Sequence, residues 1–168
     1  MESERLVLKP MSLDYVEETF KEFTPEITKY MNPRSPEKID ETREYYVSSI
    51  KKIEEGEKIE FNFFVKDTGE YIGNGGLSDI KTRTPELGVW IKKSAHGHKY
   101  GREAMVRLKQ WADESLDYNY IKYPAVDENI ASRKIPEFMG GVVEAEYDTV
   151  NQAGMKHHLV EYRIHKNK

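Results

Sequence analysis

The residues most able to do chemistry lie in one stretch, Glu86-Leu-Gly-Val-Trp-Ile-Lys-Lys-Ser-Ala-His-Gly-His-Lys-Tyr-Gly-Arg-Glu-Ala104. Within it, Gly97 and Gly101 stand in a short loop with His96, His98 and Lys99, and the chemistry this grouping offers is anion binding. Glycine lets the backbone approach a phosphate with no Cβ in the way. A helix that starts in such a loop adds N–H groups without intrahelical partners, and its dipole favours negative charge there. The elements that would hold the loop are a strand over Leu87 to Lys92 and a helix from about Tyr100. Met105, Leu108, Ala112 and Leu116 recur on one face of that helix. The physical reading is a phosphate or pyrophosphate cradle, although the same glycines also suit a plain turn and cap. Two familiar cradles are excluded. No G-x-x-x-x-G-K-[ST] string occurs. The Gly97-x-x-x-Gly101 spacing, deep in the chain, is not the G-x-G-x-x-G of a dinucleotide fold.

The chain of 168 residues suits one domain with a single sizeable core. Its charged fraction is 33% and its net charge −4, with Lys and Arg interleaved among Asp and Glu, so no basic stripe for nucleic acid is present. The absence of cysteine excludes disulfides, Cys-ligated metal and a cysteine nucleophile. His96, His98, His157 and His158 lack a ligand spacing pattern, and no metal is expected. The charged start Met-Glu-Ser-Glu-Arg leads into only a short apolar run, not a signal-peptide core. No apolar run reaches the roughly 18 residues needed to span a membrane. A cytoplasmic protein is expected.

In order, the sequence predicts a strand over Arg5 to Pro10 and a helix to about Phe23 that is N-capped by Ser12. A loop follows over Thr24 to Pro33, then a helix opened by Ser35-Pro36 and closed by Gly56. Ile59 to Lys66 alternates, with Phe61, Phe63 and Val65 against Glu60, Asn62 and Phe64, which predicts a half-buried strand. Asp67-Thr-Gly69 turns it into a return strand, Glu70 to Ile80. Beyond the central strand and helix come a strand at Asn119 to Val126, a short helix from Asn129 to about Ile135, and strands near Val142 to Val150 and His157 to Ile164. The order β-α-α-β-β-β-α-β-α-β-β is an α+β domain with a mixed, mostly antiparallel sheet of six to seven strands and about four helices.

That order, with the cradle after the fourth strand, resembles the GNAT superfamily of acetyl-CoA-dependent N-acetyltransferases. Within it the chain resembles the RimJ/RimL-like branch of ribosomal-protein N-terminal acetyltransferases. The resemblance covers essentially the whole chain. It is carried by Arg5-Leu-Val-Leu-Lys-Pro10, by Tyr71-Ile-Gly-Asn-Gly-Gly-Leu77, and by Leu87-Gly-Val-Trp-Ile with the loop and Glu103-Ala104. The family's [QR]-x-x-G-x-[GA] cradle falls on His96-Gly97-His98-Lys99-Tyr100-Gly101. His96 replaces Gln or Arg there, and Lys99 replaces the first motif glycine, where positive φ is harder for a lysine.

The resemblance implies that backbone groups around Trp90, Ile91 and Lys92 hold the pantetheine arm of acetyl-CoA where two parallel strands splay. It implies that the N–H groups from His98 to Arg102, through Lys99, Tyr100 and Gly101, hold the pyrophosphate. Asn129-Ile-Ala-Ser132 matches the branch's N-x-x-S signature, with Asn129 on the pantetheine and Ser132 near the thioester sulfur. Many family members place a Tyr acid four residues after that serine. Here the position is Pro136, which cannot give an N–H to the Ser132 carbonyl, so the helix should kink or end there. The family's Gly-Phe pair appears as Gly140-Gly141. Glu86 is the candidate general base, with the N–H of Val89 or Trp90 as the donor to the thioester carbonyl. Tyr30, beside Met31 and Asn32, and Asn74 are the acceptor-binding candidates.

Plainer readings stand beside these. Glu86 also reads as a solvated strand-end charge, Asn129 as an N-cap, Ser132 as a helix-start residue, and Trp90 and Trp111 as core. The expected activity is acetyl transfer from acetyl-CoA to a primary amine, either a protein N-terminus or a small amine, in a ternary complex. The alternative is an acyl-CoA-binding sensor or scaffold of the same fold with little turnover. A homodimer is a family habit.

Overall fold

The structure, a computed structural model, describes residues 1–166. Seven strands among these residues form one sheet: β1 (Leu6–Pro10), β2 (Ile59–Val65), β3 (Tyr71–Ser78), β4 (Glu86–Ile91), β5 (Tyr120–Val126), β6 (Val142–Val150) and β7 (Lys156–His165). Their spatial order is β1-β2-β3-β4-β5-β7-β6, and every neighbouring pair is antiparallel except β4 and β5. The helices are α1 (Val16–Glu22), the single turn α2 (Pro25–Thr28), α3 (Ile39–Glu54), α4 (Tyr100–Ser115) and α5 (Ile130–Phe138). This is the expected α+β, mostly antiparallel architecture. Among the described residues no helix is long and apolar enough to cross a membrane.

Side-chain alternation sorts the two faces of the sheet. Phe61, Phe63 and Val65 of β2 join Met105, Leu108 and Ile121 in the main core beneath α4. Glu60 and Asn62 point the other way and are buried against α3, not solvated. Tyr45 and Ser49 donate to the Glu60 carboxylate at 2.6 and 3.0 Å, and Tyr46 donates to Asn62 Oδ1 at 2.7 Å. A strand that the sequence shows as half-buried is therefore covered on both sides.

Three element boundaries differ from expectation. Ser35-Pro36 does not open α3. Ser35 Oγ donates to the Phe23 carbonyl at 3.0 Å, and the Glu41 carboxylate reaches back to the N–H groups of Glu37 and Lys38, so the helix begins at Ile39. The expected Thr24–Pro33 loop contains α2, where Thr24 is the N-cap and Pro25 takes the first position. The last helix runs through Pro136 to Phe138 without ending at it. It closes on a Schellman turn, with Gly141 N–H to Pro136 O at 2.8 Å and Gly140 N–H to Glu137 O at 3.1 Å. A Cβ on Gly141 would lie 2.9 Å from Pro136 O and 3.0 Å from Ile164 Cγ1, which accounts for glycine where the family pattern has phenylalanine.

Candidate active site

The site begins where the sheet comes apart. β4 and β5 share one aligned pair, Glu86 with Lys122, fixed by the Lys122 N–H to Pro85 O bond of 2.8 Å. Beyond it the two strands diverge. The Lys92 N–H reaches Ile72 O on β3 at 2.8 Å. By alternation, the even residues of β4 bond β3 and the odd residues face the gap. The groups turned into the gap are thus the Leu87 carbonyl, both backbone groups of Val89 and the Ile91 N–H. The Ile91 carbonyl is taken by His96 Nε2 at 2.7 Å.

At the upper end of the gap stands the N-terminus of α4. Lys99 is its N-cap, with a left-handed backbone (φ +62°) and no side-chain cap. The N–H groups of Tyr100, Gly101 and Arg102 have no acceptor among the described residues. Gly97 also has positive φ (+86°) with open space around it, so conformation demands glycine there. At Gly101 a Cβ would make only ordinary contacts, with Ile91 Cγ1 at 3.4 Å and Ile135 Cδ1 at 3.6 Å, so neither conformation nor packing demands glycine there. Arg5 ties the loop to β1. It donates from Nη2 to the His98 carbonyl at 3.0 Å and from Nε to Glu103 at 2.7 Å, and its guanidinium lies 4.7 Å over the Tyr100 ring. His98 stacks on the same ring at 5.2 Å. The start of α4 thus presents three N–H groups without acceptors among the described residues, in a loop tied down by Arg5.

On the opposite face, a cavity of about 380 Å³ opens over β3 and β4, lined among others by Thr19, Phe23, Met31, Asn74, Glu86 and Trp90. Phe23 and Trp90 pack at 4.9 Å between centroids. Glu86 and Trp90 stand on this face, while Val89 and Ile91 pack in the main core, so β4 separates the cavity from α4. Burial, foremost, raises the Glu86 carboxyl above the ordinary glutamate range. Lys122, at 3.9 Å, opposes the shift, and the charges of Asp79 and Glu161 add to it.

The sequence profile of the acetyltransferase (GNAT) domain family matches residues 5–142. The chain belongs to the GNAT acetyltransferase family. An uncharacterised N-acetyltransferase, p20 of Bacillus licheniformis, is 29% identical over 137 residues, 79% of this chain and 76% of that one. The putative ribosomal N-acetyltransferase YdaF of Bacillus subtilis (strain 168) is 34% identical over 89 residues, 52% and 49% of the two chains. It agrees with the RimJ/RimL-like branch. The fold matches that of the spermidine N-acetyltransferase from Vibrio cholerae in complex with CoA and spermine, with a TM-score of 0.83 at 19% identity, covering 96% of both chains.

In this acetyltransferase the stretch from Glu86 to Arg102 runs along one side of the gap and into the start of α4. Two of its members have limited freedom. Lys92 has both backbone groups paired, to Ile72 O and from the Ala95 N–H (3.0 Å), and its ammonium is held by Glu70 at 2.7 Å. The Trp90 backbone faces β3 by the same alternation. Asn129 is an N-cap, accepting from the Ser132 N–H at 3.3 Å. Tyr30 packs edge-on to His157 at 6.2 Å and does not line the cavity; its neighbour Met31 does. Asn74 lines the cavity and donates to Met11 Sδ at 3.0 Å. His158 lies between Asp148 and Glu146 on the outer hairpin, far along the sheet from His96 and His98.

Sequence reasoning missed Tyr123, whose buried hydroxyl lies 3.0 Å from Ser132 Oγ. Burial pushes that phenol up to about 12, with the Ser132 bond working the other way. It also missed Tyr147 of β6 and Glu161 of β7. Burial and then the charges of Glu161 and Glu86 raise the Tyr147 hydroxyl. Alternation hints at which side Tyr123 faces, but a partner on α5 is a tertiary fact.

Proposed function

We propose that this acetyltransferase moves the acetyl group of acetyl-CoA to the primary amine of a polypeptide N-terminus, directly and in a ternary complex. The observation that carries the reading is the β4–β5 gap running into the free N–H groups of α4. The free groups of Leu87, Val89 and Ile91 alternate acceptor and donor along an extended strand of about 3.3 Å per residue. That pattern suits a diamide arm lying as an added strand, as pantetheine would. The arm's pyrophosphate would then meet the N–H groups of Gly97 to Arg102, with Lys99 and His98 beside it. Asn129 and Ser132 lie at the start of α5, where Ser132 Oγ meets Tyr123 of β5, the strand that pairs with β4.

Acetyl-CoA supplies a thioester, so the protein's work is chiefly placement, and effective molarities of about 10⁵ M or more come from that alone. Val89 N–H would polarise the thioester carbonyl from the gap. Glu86, its pKa raised, would take the amine proton, directly or through one water. Ser132 Oγ, held by Tyr123, would donate to the departing sulfur.

The cavity supports an acceptor with a single amine. Glu60 is already surrounded by Tyr45, Ser49 and Lys58, and Glu41 by Arg34 and the N–H groups of Glu37 and Lys38. Glu86 alone among these lining carboxylates lacks a full set of donors. A polyamine would need more than one uncommitted anion. Thiol release from acetyl-CoA, followed with short peptides, spermidine and free lysine, tests this. Acetylated peptide N-termini with stoichiometric thiol are expected. Turnover confined to spermidine would overturn the acceptor, and no acceptor-dependent release would overturn the activity.

A further inference from the structure

We infer that Pro124 is the residue that stops the β4–β5 ladder and so keeps the cofactor slot open; the role in binding rests on the acetyl-CoA reading above. A proline in the interior of a sheet normally removes a ladder bond and is confined to edges and bulges. Pro124 nonetheless sits in the middle of β5, flanked on both sides by strands. The Lys122 N–H points at β4, where it bonds Pro85 O. By the period of two, the nitrogen of residue 124 points at β4 as well, while the N–H groups of Ile121, Tyr123 and Ala125 serve the antiparallel ladder with β7. The missing proton therefore costs the β5–β7 pairing nothing.

It falls instead on the next parallel bond. In a parallel ladder that starts at the Glu86–Lys122 pair, the following donor is residue 124 and the acceptor is the Leu87 carbonyl. Proline cannot make that bond, and the aligned pairing ends after one pair. Leu87 O is left for a ligand, and β5 presents an edge inside the sheet. At the other end His96 holds Ile91 O, so the open stretch of β4 has a defined length, from the Leu87 carbonyl to the Ile91 N–H. Sheet closure over this stretch is disfavoured without an obstructing side chain.

The test is to restore the donor with Pro124→Ala and Pro124→Val. Amide exchange by NMR is read at residue 124, and acetyl-CoA binding is measured by calorimetry. The new amide should be protected in the free protein and lose protection when acetyl-CoA is added. The dissociation constant should rise about fivefold, the equivalent of one backbone hydrogen bond that must break on binding. Thermal midpoints separate this from general damage, because a damaged variant would lose affinity while its residue-124 amide exchanged freely. A freely exchanging amide in both folded variants, or unchanged affinity in both, would overturn the inference. The exchange arm needs no ligand, so it decides the ladder claim even if the wild type takes up no acetyl-CoA, a result that would count against the proposed activity itself.

Discussion

Lys99 holds a left-handed backbone at the mouth of the cradle, a conformation that costs a residue with a Cβ about 1–2 kcal/mol. Lys99→Gly should relieve that strain, and after the extra chain entropy of glycine a gain of roughly 0.5–1 kcal/mol remains. Denaturant titration checks the gain, and a loss of stability would show the backbone to be unstrained. The same variant should bind acetyl-CoA more weakly and with a shallower salt dependence, since it lacks the ammonium. As the proposed base, Glu86 would set the pH response. Its folded pKa is raised, chiefly by burial, so a base role requires activity to fall as pH drops through a value above the ordinary 4.5. Glu86→Gln should remove that acid limb and lower kcat by about 10²-fold or more. An unaltered profile of kcat/KM against pH would take Glu86 out of the chemistry. His96 Nε2 donates to Ile91 O, a bond open to any side-chain N–H donor, those of glutamine and arginine included.

At the scale of elements, α5 is held at both ends. Asn129→Ala removes the cap bond to Ser132 and should cost about 1 kcal/mol. Gly141→Ala drives a Cβ against Pro136 O and Ile164 and should cost about 1–3 kcal/mol, with larger residues worse; thermal melts of both variants check the pair. Much of the element pattern was legible because it rests on local rules. The alternation of Phe61, Phe63 and Val65 and the helical recurrence of Met105, Leu108 and Ala112 are the faces seen in the core. The start of α3 was not legible, because Ser35-Pro36 reads as a helix opening until the Glu41 carboxylate is seen capping the chain beyond it. The burial of Glu60 and Asn62 was hidden for a similar reason, as their partners come from α3. Pro124 could be read as a strand residue, but which neighbour its nitrogen faced depends on the register with β4.

Across the whole molecule, the N-terminal segment is latched to the cradle helix. Glu103 accepts from Ser3 Oγ at 2.6 Å, the Arg5 N–H at 2.7 Å and Arg5 Nε at 2.7 Å. Burial works against its charge, but these three bonds together hold the carboxyl below the usual range. A depressed folded pKa means the contribution is present above the unfolded pKa and lost as pH falls through the folded one. Glu103→Gln should therefore be less stable than wild type by about 1–2 kcal/mol at pH 7, and the gap should narrow in acid, as paired melts at both pH values would show. At the far end of the sheet, the edge strand β6 carries Glu144, Glu146 and Asp148, which pair with Arg163, His165 and His158 of β7. Between these extremes lies the gap on which the account depends. The most direct test is calorimetric titration of the protein with acetyl-CoA, with CoA and ATP for comparison. Micromolar binding shared by acetyl-CoA and CoA and absent for ATP is the predicted result. No heat with acetyl-CoA up to millimolar concentration would contradict the slot and cradle together.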